Sequence, residues 1–228
     1  MIVNLASRLA RWVRKIRVTI LAQRHYTCLK PKAWQSSPEY EQYLDTQLRR
    51  TLSKKNAPLP KHAPILIDKM VEFIDPTQSD VLCIGSRNTA EIDYFRSKGA
   101  KNVVGIDLYS EDQAILVMDM HQMTFPDDHF DIIYSCHSLE HAYDIQKVVN
   151  EIVRVGRPGG LVVIEVPVRY ETKGADLVDF GNCAGLHAAF EPYVATVLWC
   201  DEQPPYSSKN DSGTAIVRTI FSVCEEAI

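Results

Sequence analysis

A chain of 228 residues, 46% hydrophobic and 24% charged, is long enough to bury the core of one α/β domain and to carry an appendage of some tens of residues. Its formal net charge of -4 is divided unevenly: residues 1–55 hold twelve Lys and Arg against three acids, and residues 56–228 hold thirteen against twenty-six. A bulk nucleic-acid binder is basic across its domain, so no nucleic-acid partner is expected and any anionic partner should meet the N-terminal arm.

In chain order, the first expected element is a helix over residues 2–20. Ile2, Leu5, Leu9, Trp12, Val13, Ile16 and Ile20 recur at the spacing of one helical face, with Arg8, Arg11 and Lys15 opposite. Charges interrupt the run too often for a signal-peptide core or a membrane span. An amphipathic basic helix of this kind either lies on an anionic membrane surface or docks its apolar stripe on the domain or on a second copy of the chain. The expected location is therefore cytoplasmic, with a peripheral contact at the inner face of the membrane as the further possibility. Prolines at 31, 38, 58, 60 and 64 then flank a polar helix from Glu39 to Lys54 that carries Tyr40 and Tyr43. Residues 1–60 read as this arm and cap, and residues 61–228 as the main domain.

From "ILIDKMVEFI" onward, strands alternate with helical stretches: "DVLCIG", a helix over Ala90 to Ser97, "NVVGID", "AILVMD", "FDIIYS", a helix over Asp144 to Val155, and "GLVVIEVP". That alternation predicts a parallel sheet with helices on both faces. "VATVLWCD" and "AIVRTIFSV" have no convincing helix between them and predict an antiparallel hairpin at the sheet edge. Six cysteines form no CxxC pair and several sit in apolar runs, so reduced thiols and no structural zinc are expected.

In an open parallel sheet, ligands bind beyond the carboxyl ends of the strands. The first strand ends at Gly85, where Asn88 and Glu91 form a capping-box pattern that would leave backbone N–H groups near the glycine. The second ends at Asp107, twenty-two residues later, the place of an acid that accepts hydrogen bonds from both ribose hydroxyls of a nucleoside cofactor. The third ends at Asp119, with Met120 and His121 next; a carboxylate there can receive an adenine amine while an apolar chain covers the ring.

"VLCIGSRNTAE", "NVVGIDLYS", "MDMHQMTFPDDHFDIIYSCHSLEH" and "EIVRVGRPGGLVVIEVP" together resemble the successive motifs of class I S-adenosylmethionine-dependent methyltransferases, in particular the ubiquinone-biosynthesis-like small-molecule branch. The resemblance implies a Rossmann-like, seven-stranded, mostly parallel sheet with an antiparallel last strand. It implies S-adenosyl-L-methionine as cofactor, held by Gly85, Ser86, Arg87, Asp107, Leu108, Asp119, Met120, His121, Ser135 and Cys136. Where the family's first motif carries an acid, this chain has Cys83, and Arg87 and Thr89 stand where further glycines are usual. Losing that acid removes a charge-assisted hydrogen bond worth ~1.5–3 kcal/mol, for which Arg87, holding the cofactor carboxylate, is a candidate compensation. Arg87 also argues against a dinucleotide, whose pyrophosphate needs the glycine at that position.

After the fourth strand, His137 and His141 stand four apart, with no third metal ligand evident by spacing, so no metal is expected. They are the candidate catalytic residues, as bases for an acceptor that must lose a proton. The loop "VRYETKGADLVDFGNCAGLHAAF" should close over the acceptor, with Tyr170, Asp179 and His187 as candidate contacts. The expected reaction is methyl transfer to a small-molecule or glycan acceptor, at oxygen. The rival expectation is a non-catalytic binding module whose altered first motif no longer holds the cofactor.

Overall fold

The computed structural model of the protein describes residues 37–204 and 214–224; the expected helix over residues 2–20, and Cys28, lie outside the described residues. Helix α1 (Pro38–Lys54) begins where Ser37 caps the backbone N–H of Tyr40 at 3.2 Å and Pro38 presets the first turn. Tyr40, Tyr43, Leu44, Gln47, Leu48 and Thr51 form its buried face at helical spacing. Helix α2 (Ala63–Met70) follows Pro58 and Pro60 and takes Pro64 into its first turn.

Strands β1 (Asp80–Ile84), β2 (Asn102–Asp107), β3 (Ile115–Val117), β4 (Phe130–Cys136) and β5 (Gly156–Val168) run parallel, and β7 (Ala215–Val223) inserts antiparallel between β5 and the edge strand β6 (Val194–Gln203). The sheet order is β3-β2-β1-β4-β5-β7-β6. Helices α3 (Ala90–Ser97), α4 (Ile145–Val155) and α5 (Cys183–Phe190) and the 3-10 turns Pro76–Gln78 and Leu139–His141 complete the described elements. The expected fold is thus the observed one, with β7 as the antiparallel strand. Among the described residues, no helix is long and apolar enough to cross a membrane.

The two faces of β1 feed two cores. Leu82 and Ile84 join the cluster beneath α4 and α5, while Val81 and Cys83 join the one beneath α2 and α3. All four are buried, as a central parallel strand requires. The order also makes β1 and β4 the switch point, where successive connections leave to opposite sides and a crevice opens at the strand ends.

Three expectations need correction. Cys183 and Cys200 are joined in a disulfide with Cα atoms 6.7 Å apart, so the six cysteines are not all reduced. Their seventeen-residue separation hid the pairing, because α5 folds back against β6. The capping box at α3 does not form: Thr89 is the N-cap without a side-chain bond, Asn88 accepts from the Ala90 N–H at 3.0 Å, and Glu91 turns inward to accept from the Tyr134 hydroxyl at 3.1 Å. The long loop after β5 also contains α5, started by Asn182 accepting from the Gly185 N–H at 2.8 Å.

Candidate active site

Gly85 lies in the left-handed region at φ +80°, and a Cβ there would sit 2.0 Å from Ser138 Oγ. Glycine is required for the turn and for the approach of the chain leaving β4. The Gly85 and Ser86 N–H groups both donate to the Ile106 carbonyl, at 2.9 and 3.0 Å, so the turn does not present them to a ligand. Cys83, by strand alternation, is buried against α2 and α3.

A cavity of about 580 Å³, open solvent at its mouth included, lies over the switch point. Its lower wall is Gly85, Asp107, Leu108, Asp119 and Met120; Arg87 and the pair His137 and His141 border it, and α1 covers it with Gln47, Arg50 and Thr51. Arg87 makes no ion pair among the described residues. Gln47, Arg50 and Thr51 escaped sequence reasoning, although the helical spacing from Tyr40 to Thr51 marks the face that buries.

The two carboxylates differ: Asp107 ends β2 as expected, whereas β3 stops at Val117 and Asp119 lies two residues beyond it. Asp119 Oδ2 accepts from the Tyr40 hydroxyl at 2.5 Å, and Oδ1 accepts from the His121 N–H at 2.9 Å and from His121 Nδ1 at 2.7 Å. His121 carries its proton on Nδ1, because Nε2 accepts from the N–H groups of Tyr143 and Asp144 at 3.1 and 3.3 Å. Burial works to raise the Asp119 carboxyl, but the His121 and Tyr40 bonds outweigh it and hold it below the usual range. Asp107 accepts from the Thr51 hydroxyl at 2.9 Å and from the Leu108 N–H at 2.7 Å. Here burial wins, and its carboxyl is pushed up to about 6.

The two histidines differ as well. His137, with φ 53°, sits between Glu165 Oε1 at 2.9 Å and Glu140 Oε1 at 3.7 Å. Burial lowers its proton affinity, yet the bonds to Glu140 and Glu165 prevail and raise it to about 9, which makes it a cation at neutral pH. Glu165 is in turn bound by Arg218 Nε at 2.5 Å, and Arg218 reaches Asp201 and His62. His141 is pushed below its usual value by burial, with Arg50 adding to the effect against the pull of Glu140 and Asp176. Its Nδ1 lies 3.0 Å from Asp176 Oδ1 and 3.2 Å from the Ala175 carbonyl, and its Nε2 is 3.6 Å from Glu140 Oε1. Glu140 is 2% exposed, and its Oε2 has no hydrogen-bond partner among the described residues.

The other expected site residues do not line the cavity. Ser86 is buried and bonds the Cys83 carbonyl, Ser135 is buried with an unpartnered hydroxyl, and Cys136 lines a smaller recess behind Gly85. Burial pushes the Cys136 thiol well above its usual value, which disfavours a nucleophile. Tyr170 donates to the Val178 carbonyl, Asp179 accepts the N–H groups of Arg169 and Gly181, and His187 bonds Thr219. None of these last three lines the cavity. The same loop reaches the site through Asp176 instead, which Arg50 NH1 meets at 2.9 Å, and through Ala175, whose carbonyl accepts from Gln47 at 2.8 Å.

Residues 82–164 match a protein family described as a methyltransferase domain. Over 64 residues the chain is 46% identical to the sterol 24-C-methyltransferase erg6 of Aspergillus fumigatus, covering 28% of this chain and 16% of that one. Over 69 residues it is 33% identical to the chloroplastic tocopherol O-methyltransferase of Arabidopsis thaliana, covering 30% of this chain and 20% of that one. The matched stretches thus span a fifth or less of these relatives. A crystal structure of an S-adenosylmethionine-dependent methyltransferase from Mesorhizobium loti superposes with a TM-score of 0.54 at 13% identity, covering 72% of this chain and 98% of that one, a likeness of fold. The glycine turn and both carboxylates fall inside the matched stretch; residues 82–164 match the methyltransferase-domain family, and the sheet around them has the fold of the S-adenosylmethionine-dependent methyltransferase from Mesorhizobium loti.

Proposed function

We propose that the protein transfers the methyl group of S-adenosylmethionine to an oxygen of a small-molecule acceptor, with His141 as the general base. The residues present fit the cofactor on one observation. Asp107 is 7% exposed and its carboxyl is raised to about 6, so it is a buried acceptor short of donors. Two ribose hydroxyls would supply them. Leu108 and Met120 offer apolar cover beside it, and Arg87 a cation for the cofactor carboxylate. When bound, the cofactor supplies a methyl carbon made electrophilic by its sulfonium.

His141 carries the acid–base part of this reading. An imidazole pushed below its usual proton affinity is neutral at pH 7, and the Asp176 and Ala175 oxygens fix its proton on Nδ1. Nε2 then keeps a lone pair at the cavity wall. On taking the acceptor's hydroxyl proton, the ring becomes a cation faced by Glu140 and Asp176. His137, already protonated and held by two glutamates, has no lone pair to offer and positions the chain leaving β4. The small-molecule class is supported by the names of the sterol and tocopherol relatives, of which the second is an O-methyltransferase.

Replacement of His141 by alanine should lower kcat about a hundredfold with S-adenosylhomocysteine affinity unchanged. In the wild type, kcat should rise through one ionisation below pH 6.5 and then stay level. A full-rate alanine variant would refute the base assignment. The binding-module alternative is favoured by one feature: Thr51 and Tyr40 already bond the two carboxylates meant for the cofactor. Calorimetry showing no binding at millimolar S-adenosylhomocysteine would decide for it.

A further inference from the structure

The Cys183–Cys200 bond lies at the root of the loop that carries Asp176. Cys183 opens α5 directly after its N-cap Asn182, and Cys200 is exposed on the edge strand β6. His187, one helical turn beyond Cys183, places Nε2 4.0 Å from its sulfur and 2.8 Å from the Thr219 hydroxyl. A helix start is a surrounding that favours a thiolate as leaving group. Among the described residues, Cys83, Cys136 and the half-buried Cys224 lie outside the disulfide, and the bond joins the partly buried Cys183 to the exposed Cys200. Framework disulfides staple small cores, whereas an isolated bond with one sulfur exposed has the pattern of a responsive one.

What the bond holds is the acceptor-side loop, residues 169–182. Its two ends converge on Glu202 of β6, which accepts from the Cys183 N–H at 2.8 Å and from Arg169 NH2 at 2.8 Å. These are exposed contacts of a kind that hold weakly. The far end of the loop reaches the site: the Leu177 and Val178 N–H groups donate to the Glu140 carbonyl at 2.7 and 3.0 Å, and Asp176 meets both His141 and Arg50. The disulfide is the covalent member of the attachment that keeps Asp176 against His141.

We propose that Cys183–Cys200 is a reversible thiol–disulfide switch that sets the order of the loop 169–182. In the reducing direction, an external thiolate attacks the exposed Cys200 sulfur. The S–S electron pair leaves on Cys183, which takes a proton from solvent. A second external thiolate then resolves the mixed disulfide, so two electrons pass from two external thiols to the protein and the external pair leaves oxidised. The effect on methyl transfer rests on the function proposed above; the chemistry of the bond and its effect on the loop do not.

The experiment equilibrates the full chain in reduced and oxidised glutathione over a range of ratios. Peptide mapping after acid quench should show Cys183 joined to Cys200 at the oxidising end and both alkylated at the reducing end, reversibly. Hydrogen exchange of residues 170–182 should quicken about tenfold or more on reduction, while β1 stays unchanged. Cys200→Ser should exchange at the reduced-state rate in both buffers. If that variant fails to fold, the wild-type comparison stands alone. A bond that never forms in excess oxidised glutathione, one unbroken by excess reduced glutathione, or loop exchange indifferent to redox state would overturn the proposal. So would stoichiometric zinc on the purified protein that is lost with Cys200→Ser, since the same three side chains lie close enough to hold a metal. If the methyltransferase reading fails instead, S-adenosylhomocysteine will not bind, and the thiol and exchange results remain as stated.

Discussion

The wall of the cavity made by the ends of β1, β2 and β3 and the wall made by the 3-10 turn at Leu139–His141 with the loop 169–182 meet at one opening, but they are held by different means. The first is fixed by sheet register: Ile84 pairs with Ile106 and Asp107 with Val117, so Gly85 and the Asp107 carboxylate are placed by backbone hydrogen bonds at the edge of the core. The second is fixed by side chains and a few N–H groups drawn from separate segments, with Glu140 accepting from the loop and Asp176 shared by His141 and Arg50. A register-built wall resists single changes except where steric room is absent. A wall of side-chain contacts yields piecemeal and with pH.

The largest effect is expected where the first wall has no room. Gly85→Ala forces a Cβ to 2.0 Å from Ser138 Oγ at φ +80°. Left-handed strain of ~1–2 kcal/mol and overpacking of ~1–3 kcal/mol should together cost about 3 kcal/mol. Urea unfolding should show that loss and titration with S-adenosylhomocysteine should show no binding; a variant of wild-type stability would mean the turn is not register-bound.

Next in size is the pH response of the histidine that joins the two walls. The His137 proton affinity rises to about 9 in the folded state from an ordinary value of 6.5. The stability it adds is therefore complete below about pH 6.5 and is lost as pH rises through 9. Over the window from pH 7 to 10 that loss is on the order of 2–3 kcal/mol. The unfolding free energy from urea titration should fall between pH 7 and 10 by that amount beyond the fall seen in His137→Gln, in which this part of the dependence disappears. Equal slopes in the two proteins would show that Glu140 and Glu165 do not hold the charge.

The division between the walls also explains what was legible in the sequence. Strand ends are periodic features, so Gly85, Asp107 and Asp119 are placed by counting along apolar runs, and all three line the cavity. Cys83 looked like a damaged contact because a motif records position and not direction; one residue of strand alternation turns it to the opposite face. Asp176 and Glu140 could not be found this way. Their roles depend on a loop folding back across some thirty-six residues, for which no local period exists. The Cys183–Cys200 pairing escaped for the same reason, and Tyr170, Asp179 and His187 were chosen by residue type on a loop whose path sequence does not give.

A smaller effect should separate the two carboxylates within the first wall. Asp107, raised to about 6, becomes protonated as pH falls through that value, and a protonated carboxyl accepts less well from hydroxyl donors. Affinity for S-adenosylhomocysteine should then fall about tenfold between pH 7 and 5. Asp119, held below the usual range, should contribute nothing over that interval. Calorimetry of the wild type and Asp107→Asn tests this, since the variant should bind more weakly at pH 7 and lose the slope. A slope retained in Asp107→Asn would assign the ionisation elsewhere.

The smallest expected effect concerns α1, which touches both walls. Tyr40→Phe deletes a hydroxyl 2.5 Å from Asp119 Oδ2 while leaving a ring to pack against Tyr43 and Tyr143, at centroid distances of 5.3 and 5.0 Å. A hydrogen bond to a charged acceptor is worth ~1.5–3 kcal/mol, but Asp119 keeps its two His121 bonds, so the net loss should be nearer ~1 kcal/mol. The test of interest is where that loss is felt. If α1 moves as a rigid helix, loosening its Tyr40 end also loosens the Gln47 and Arg50 contacts to Ala175 and Asp176. Hydrogen exchange at residues 175–178 should then quicken along with exchange at residues 39–44, while the β1 amides stay protected. Quickening confined to residues 39–44 would show that the helix end at Tyr40 frays alone and that the two walls are mechanically independent.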